Sequence, residues 1–431
     1  MKPILNLQLM GDDTKRYKVS ARLLGGLAAL LGVLVGGGVL IHWLLPEPRF
    51  PQPTGPYPIG TRIYHWVDRS RPEPFTPNPN DHRELMAQVW YPAIQPRHTK
   101  PVSYLAHREI LEVVGRFFHV PAFLLGNVAQ APTHAFAGAA PLRGRFPVLL
   151  NPTGFSGFRD ASLFWIEELV SHGYVVVGLD QPGTAAATVF PDGRVISVLL
   201  PKTLFDQHMP LALSQTEKVS TVMNGVELLG GIVPFLAADL SFALSQMSNL
   251  DQHDPLLAGH LDTDRAGVFG MSLGGYQGPE ACRVDLRFKA CLAVDAGQTT
   301  AVVRAGLTQP VMVMSRDAWV MREERSKAGG WPEAEIAHTV RDEAALYLQS
   351  HADAYFLTMN TMYHVNWTDV PIWSPVVRWL GLAGPVNPYR GFAATNAYTL
   401  AFFDRYLKGQ ASALLTGDSA LWPEVTLRHR P

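Results

Sequence analysis

Six residues, Gly270-Met271-Ser272-Leu273-Gly274-Gly275, constrain this chain more than any other stretch. They lie between Arg265-Ala-Gly-Val-Phe-Gly270, which reads as a short buried strand, and a segment through Arg283 that reads as a helix. A serine at such a junction, with small residues on both sides, fits a sharp turn that presents its hydroxyl as a nucleophile. Glycine is expected at 270, 274 and 275 because the turn brings neighbouring backbone to where a Cβ would stand. The competing reading of Ser272 is an ordinary helix N-cap.

The surrounding pattern alternates strand and helix. Arg62–Val67 and Glu84–Tyr91 read as an antiparallel pair ended by Pro92. Pro147–Asn151 is a strand, Asp160 is a candidate cap for a helix carrying Leu163, Ile166, Leu169 and Val170, and Tyr174–Asp180 is the next strand. Ser214-Gln-Thr-Glu217 has the form of a capping box opening a helical region to about Met247, interrupted near Gly230, Gly231 and Pro234. Further strands are expected at Lys289–Val294, Pro310–Ser315 and Tyr355–Met359. Nearly continuous apolar strands separated by helices predict a mostly parallel sheet covered on both faces.

Composition excludes several classes. The 431 residues are 47% hydrophobic, enough for a large core, and a formal net charge of -1 offers no basic face for a phosphate backbone, so no nucleic-acid partner is expected. Only Cys282 and Cys291 are present. One would lie late in the helix after the turn and the other in the next strand, so two buried thiols are favoured over a disulfide. His253 and His260 lack zinc-ligand spacing, and no Gly-x-Gly-x-x-Gly follows a strand, so neither metal nor cofactor is expected.

The N-terminus reads separately. Leu23–Leu45 is an uncharged run of 23 residues, and as a helix it would span ~35 Å, enough for a hydrocarbon core. Lys15, Arg16, Lys18 and Arg22 precede it, so residues 1–22 are expected in the cytoplasm and the remainder exported to the periplasmic or extracellular face. No small-x-small cleavage site follows, which favours an uncleaved anchor over a signal peptide. Residues 46–60, with six prolines, read as a stiff spacer ahead of a domain at 61–431.

A serine hydroxyl needs a base, and the base needs an orienting acid. Of His338, His351, His364 and His429, only His364 falls on a loop just past the last core strand. Asp295 and Asp317 both close strands and are both candidates for the acid.

The motifs PTGPYPIGTRIYHWVD, MAQVWYPA, NPTGFSGFR, DQPGTAAATVFPDGR, LDTDRAGVFGMSLGG, EACRVDLRFKACLAVDAG, YHVNWTDV and ATNAYTLAFFDRYLKG run from about Pro53 to Gly409. In this order they resemble α/β-hydrolases of the platelet-activating factor acetylhydrolase family, including bacterial relatives. The resemblance implies an α/β-hydrolase fold behind the N-terminal transmembrane helix and a serine hydrolase of carboxylic esters, short-acyl or lipid-like. It selects Asp295 as acid and His364 as base of Ser272, and it assigns the oxyanion-binding N–H groups to Phe155 and Leu273. Relatives of the cutinase and dienelactone hydrolase type would select Asp317. The family's usual His before the nucleophile is Met271 here, and Gly278-Pro279 falls in what is normally a regular helix. A polyester hydrolase, a peptidase, or a catalytically silent membrane-tethered binding module are the alternatives. Helical insertions at Glu109–Leu125 and 214–247 are expected either to rim an apolar substrate entrance or to extend the core.

Overall fold

The computed structural model describes residues 46–117, 120–198 and 220–431, with scattered positions between 26 and 44. Two compact units result, Met1–Pro46 and Glu47–Pro431. In the first, residues 26–27, 29–32 and 36–38 are helical, with Leu27, Leu30 and Leu31 exposed. Most of the expected span Leu23–Leu45 lies outside the described residues, among which no helix is long and apolar enough to cross a membrane. The capping box at 214–217 also lies outside them.

The second unit is built on ten strands: β1 (Ile59–Pro72), β2 (His82–Pro92), β3 (Ala135–Ala137), β4 (Phe146–Pro152), β5 (Val175–Asp180), β10 (Leu261–Met271), β11 (Phe288–Val294), β12 (Val311–Ser315), β13 (Ala354–Thr358) and β14 (Thr426–Arg430). Two hairpins outside that sheet supply β6 (Ala187–Val189) with β7 (Val195–Ser197), and β8 (Ser220–Met223) with β9 (Val226–Leu229). The order is β14-β13-β12-β11-β10-β4-β5-β2-β1-β3. Strands β13 to β5 in that order are parallel, and β2 and β14 pair antiparallel at either side of them. Parallel neighbours leave no strand face to water, which is why these segments read as unbroken apolar runs.

Side-chain alternation divides the core in two. Leu149, Phe269, Ala290 and Leu292 face the layer that holds Trp165 and Phe402, on helices Leu163–Ser171 and Pro388–Lys408. Val148, Leu150, Val268 and Cys291 face Leu240 and Met247 of helix Ile232–His253, and Ala281 and Cys282 of helix Leu273–Val284. This parity corrects the expectation of separate thiols. Cys291 points to the face that the helix of Cys282 covers, the Cα atoms are 6.7 Å apart, and the two form a disulfide.

Three further expectations change. Helix Ile232–His253 begins only after the β8–β9 hairpin, carries Pro234 in its first turn where proline is tolerated, and is part of the core. Asp160 does not cap helix Leu163–Ser171; the N–H groups of Leu163 and Phe164 donate to Asp369, at 2.7 and 3.1 Å. The proline-rich segment is no free spacer from Glu47 onward. Phe50 is buried with its ring 4.8 Å from that of Tyr104, the Thr54 hydroxyl donates to Glu168, and the Tyr57 N–H donates to the carbonyl of Ser171. An extended chain with two aromatics finds a better environment on this apolar surface than in water.

Candidate active site

Ser272 follows directly on β10 and precedes the helix Leu273–Val284. Its φ of 55° lies in the left-handed region, where a residue with a Cβ is strained and must be held by its surroundings. The glycines around it do the holding. A Cβ on Gly274 would stand 2.4 Å from the carbonyl oxygen of Pro152, one on Gly270 would stand 2.8 Å from Gly274, and one on Gly275 2.7 Å from the Cβ of Ala296. The helix runs on through Pro279. Proline cannot donate to the carbonyl of Gly275 four residues back, and Gln298 Nε2 donates to it instead at 3.2 Å. The expected interruption is thereby bridged.

The loop after β4 brings Gly154 and Phe155 to Ser272. At Gly154 a Cβ would lie 3.4 Å from the Cβ of Ser272 and 3.9 Å from its Oγ, so glycine permits the close approach. Gly157 N–H turns back to the Gly154 carbonyl at 3.0 Å, and Ser156 N–H donates to Thr184 at 2.8 Å. Leu273 occupies the first position of its helix, where the backbone N–H has no partner within the helix.

Asp295 directly follows β11, with a φ of 46°, and is fully buried. His364 opens a short turn, His364–Trp367, beyond β13. The imidazole Nδ1 lies 2.6 Å from Asp295 Oδ2. Asp317, the other candidate acid, is exposed and paired with Asn360, whose side-chain amide donates to it at 2.8 Å. His338 pairs with Asp342, His351 reaches the carbonyl of Ala305, and His429 stacks on Tyr355. Ser272 and His364 line one cavity of about 160 Å³, walled by Val113, Val114, Phe158, Trp165 and Trp373. Val113 and Val114 of the insertion helix Arg108–Phe117 thus line the cavity, and Val114 also belongs to the core.

Burial alone would raise the pKa of Asp295, but the Arg316 charge and the His364 hydrogen bond outweigh it and hold the carboxyl below its ordinary value. Arg316 Nε lies 3.1 Å from both oxygens of Asp295, and its Nη1 donates to Glu324. Glu324 Oε1 accepts the His364 backbone N–H at 3.3 Å. Trp331 meets the imidazole edge to face, ring centres 4.9 Å apart. Glu343, behind Asp295, is pushed well above its ordinary value by burial and then by the Asp295 charge. The His364 turn is pinned by Asn366, whose Oδ1 accepts the N–H groups of Tyr363 and Gly384 at 2.8 Å. Ser162 Oγ, in turn, donates to the carbonyl of Trp367 at 2.7 Å.

Arg316, Glu324, Trp331 and Asp369 were not singled out from the sequence. Asp369 had a signal in the YHVNWTDV motif, where it is the second acidic-or-amide position. The other three had none, since a charge after a strand or on a helix reads as solvated surface.

Residues 243–418 match the family model for platelet-activating factor acetylhydrolase, isoform II. A solved ferulic acid esterase from Streptomyces cinnamoneus superposes with a TM-score of 0.68 at 28% identity, covering 88% of this chain and 99% of its own. The fold is that of an α/β-hydrolase, and residues 243–418 resemble the platelet-activating factor acetylhydrolases. Family model and neighbour together support an ester hydrolase. No curated protein matches the sequence. The matched stretch of the hydrolase contains Ser272, Asp295, Arg316 and His364, whereas Phe155 and the insertion helix lie before it.

Proposed function

We propose that the hydrolase cleaves carboxylic esters through an acyl-serine intermediate, with Ser272 as nucleophile, His364 as base and Asp295 as acid. The observation that carries this reading is His364: one ring nitrogen is held by the buried Asp295 at 2.6 Å, and the same residue lines the cavity that Ser272 enters. His364 takes the proton from Ser272 as the hydroxyl attacks, and returns it to the leaving alcohol. Asp295 fixes the tautomer and offsets the charge that forms on the imidazole. The backbone N–H groups of Phe155 and Leu273 receive the negative charge on the carbonyl oxygen, where losing one donor typically costs roughly 10²-fold or more.

The cavity bears on the acyl group. An apolar cavity of ~150 Å³ admits a benzene ring, and the 160 Å³ here, walled by valine, phenylalanine and tryptophan, suits a short or single-ring acyl group. A lipid-like alcohol would then lie outward, toward helix Arg108–Phe117. The similar ferulic acid esterase supports ester cleavage as the reaction. The uncharged Leu23–Leu45 run with its basic flank supports an exported enzyme tethered by one transmembrane helix. The Cys282–Cys291 disulfide agrees with an oxidising compartment.

The test is labelling by a fluorophosphonate probe together with hydrolysis of p-nitrophenyl esters of increasing acyl length. Labelling that disappears in Ser272→Ala, with turnover falling beyond a benzoyl-sized acyl group, is expected. A wild-type protein that is folded but unlabelled would make this fold a silent binding module. Efficient turnover of long acyl chains would remove the size argument.

A further inference from the structure

Three groups from consecutive segments converge behind the Asp295–His364 pair, and nothing in the triad chemistry requires them. Arg316 leaves the end of β12, Glu324 comes from helix Ala318–Ala328, and Trp331 from the loop that follows. Arg316 is 1% exposed in its side chain and Asp295 is 0% exposed. One guanidinium grips the carboxylate through Nε and the Glu324 carboxylate through Nη1. Glu324 also accepts the backbone N–H of His364, and the Trp331 ring contacts both His364, at 4.9 Å, and Arg316, at 5.5 Å. The pair is thus held at the acid's side chain, at the base's backbone and at the base's ring.

We propose that Arg316 is a positioning residue that keeps Asp295 ionised and the Asp295–His364 pair unprotonated toward acid pH, with Glu324 as its counter-charge and Trp331 as its cover. This rests on the Ser272–His364–Asp295 reading. Without a cation, a carboxylate in a site this dry favours proton uptake. Arg316 opposes that uptake whether or not the imidazole is charged. The ionisable groups facing the pair are Arg316 from β12, Glu324 from helix Ala318–Ala328 and Glu343 from helix Glu333–Gln349. Glu343 is buried, accepts the Ala296 N–H at 3.1 Å and is left in place by both substitutions below.

The two charges make opposite predictions. Removing the cation in Arg316→Gln raises the proton affinity of the pair, and the acid limb of the kcat/KM profile for p-nitrophenyl acetate moves up by roughly one pH unit. Removing the anion in Glu324→Gln leaves Arg316 less compensated, and the same limb moves down. Arg316→Lys keeps the charge, holds the limb near its original position and recovers part of the lost kcat. In Arg316→Gln, kcat falls on the order of 10²-fold while KM changes less than about threefold, because the group acts on the pair rather than on the ester.

The experiment measures these profiles on the full-length protein, with fluorophosphonate labelling rate and melting temperature recorded for each variant. A folded Arg316→Gln with an unmoved acid limb overturns the proposal, as does a Glu324→Gln limb that moves in the same direction. Should Arg316→Gln fail to fold, the sign of the Glu324→Gln shift and the Arg316→Lys profile decide. Ser272→Ala separates the two levels. Activity surviving in Ser272→Ala sinks the triad reading itself, whereas an inactive Ser272→Ala beside a normal Arg316→Gln sinks only the brace.

Discussion

Asp160→Asn is expected to stabilise the protein, and to do so increasingly as pH rises. Asp160 follows Arg159 on the loop from Phe155 to helix Leu163–Ser171 and is 9% exposed. The neighbouring guanidinium is already committed, with Nη1 2.6 Å from Asp180 and Nε 3.1 Å from Gln88. Burial raises the Asp160 pKa, Arg159 offsets part of that, and the charge of Asp180 adds to it, leaving the carboxyl at about 7 instead of 3.8. The folded protein therefore binds this proton more tightly than the unfolded chain does. The contribution of Asp160 to stability is fully present below about pH 4, declines between pH 4 and 7, and is gone above 7. A displacement of about 3 pH units at 1.36 kcal/mol each corresponds to about 4 kcal/mol at full extent. Between pH 4.5 and pH 8 the wild type should lose about 3 kcal/mol relative to Asp160→Asn, which has the same shape and no titration. Denaturant melts of both proteins at pH 4.5, 6 and 8 read the difference directly as a widening gap in midpoint. A gap that stays constant across this range would refute the reasoning, because a lost or gained contact has no pH dependence of this form.

The remaining expectations concern the site and the anchor. Asp295→Asn should lower kcat by roughly 10⁴-fold while Asp317→Asn changes it less than about threefold, since only the partner of His364 sets its tautomer; kinetics on one soluble ester decide, and the reverse order would transfer the acid to Asp317. Gly274→Ala places a methyl 2.4 Å from the Pro152 carbonyl, so turnover should drop at least about 10²-fold with a lowered melting temperature, as expected when a catalytic group is misplaced by about an ångström; an active Gly274→Ala would show that the turn is loose. Gln298→Ala should cost about 1–3 kcal/mol by leaving the Gly275 carbonyl unpaired, and Pro279→Ala should restore much of it by returning the helical N–H; additive losses in denaturant melts would disprove the exchange. Membrane fractionation with protease added from outside should release an active fragment cut close to Pro46, because Glu47 onward is docked on the domain; an intact soluble protein would argue against the anchor.

What was legible in the sequence was local. The turn at Ser272 needs three glycines within six residues and a strand and helix on either side, and every one of those requirements is visible in the string Gly270–Gly275 and its flanks. The six parallel strands were legible for a similar reason, since burial on both faces leaves unbroken apolar runs. His364 could be singled out by its position after the last core strand. Between Asp295 and Asp317 the strand pattern could not choose, because both close parallel strands and only the three-dimensional path of the His364 turn brings one of them within 2.6 Å.

Two of the misreadings, the Asp160 cap and the free spacer, share a physical cause, which is competition from groups distant in sequence. Asp160 stands where a local cap would stand, yet the N–H groups it would have served are taken by Asp369, 206 residues away from Leu163. That substitution has a consequence for the site. The Asp369 side chain that caps helix Leu163–Ser171 belongs to the loop that carries His364, and Ser162 ties the same loop back through the carbonyl of Trp367. The segment bearing Phe155 and the segment bearing His364 are therefore held to each other through buried polar contacts, where an unmade bond costs more than a made one stabilises. A local cap at Asp160 would have stabilised the helix about as well, at typically ~1 kcal/mol, but it would have added no tie between the Phe155 segment and the His364 loop. Placing the cap on Asp369 makes the helix start conditional on the site being assembled, and it leaves Asp160 without a partner among the described residues beyond its own backbone. The cost of that unpartnered carboxyl is the pH dependence that Asp160→Asn should remove.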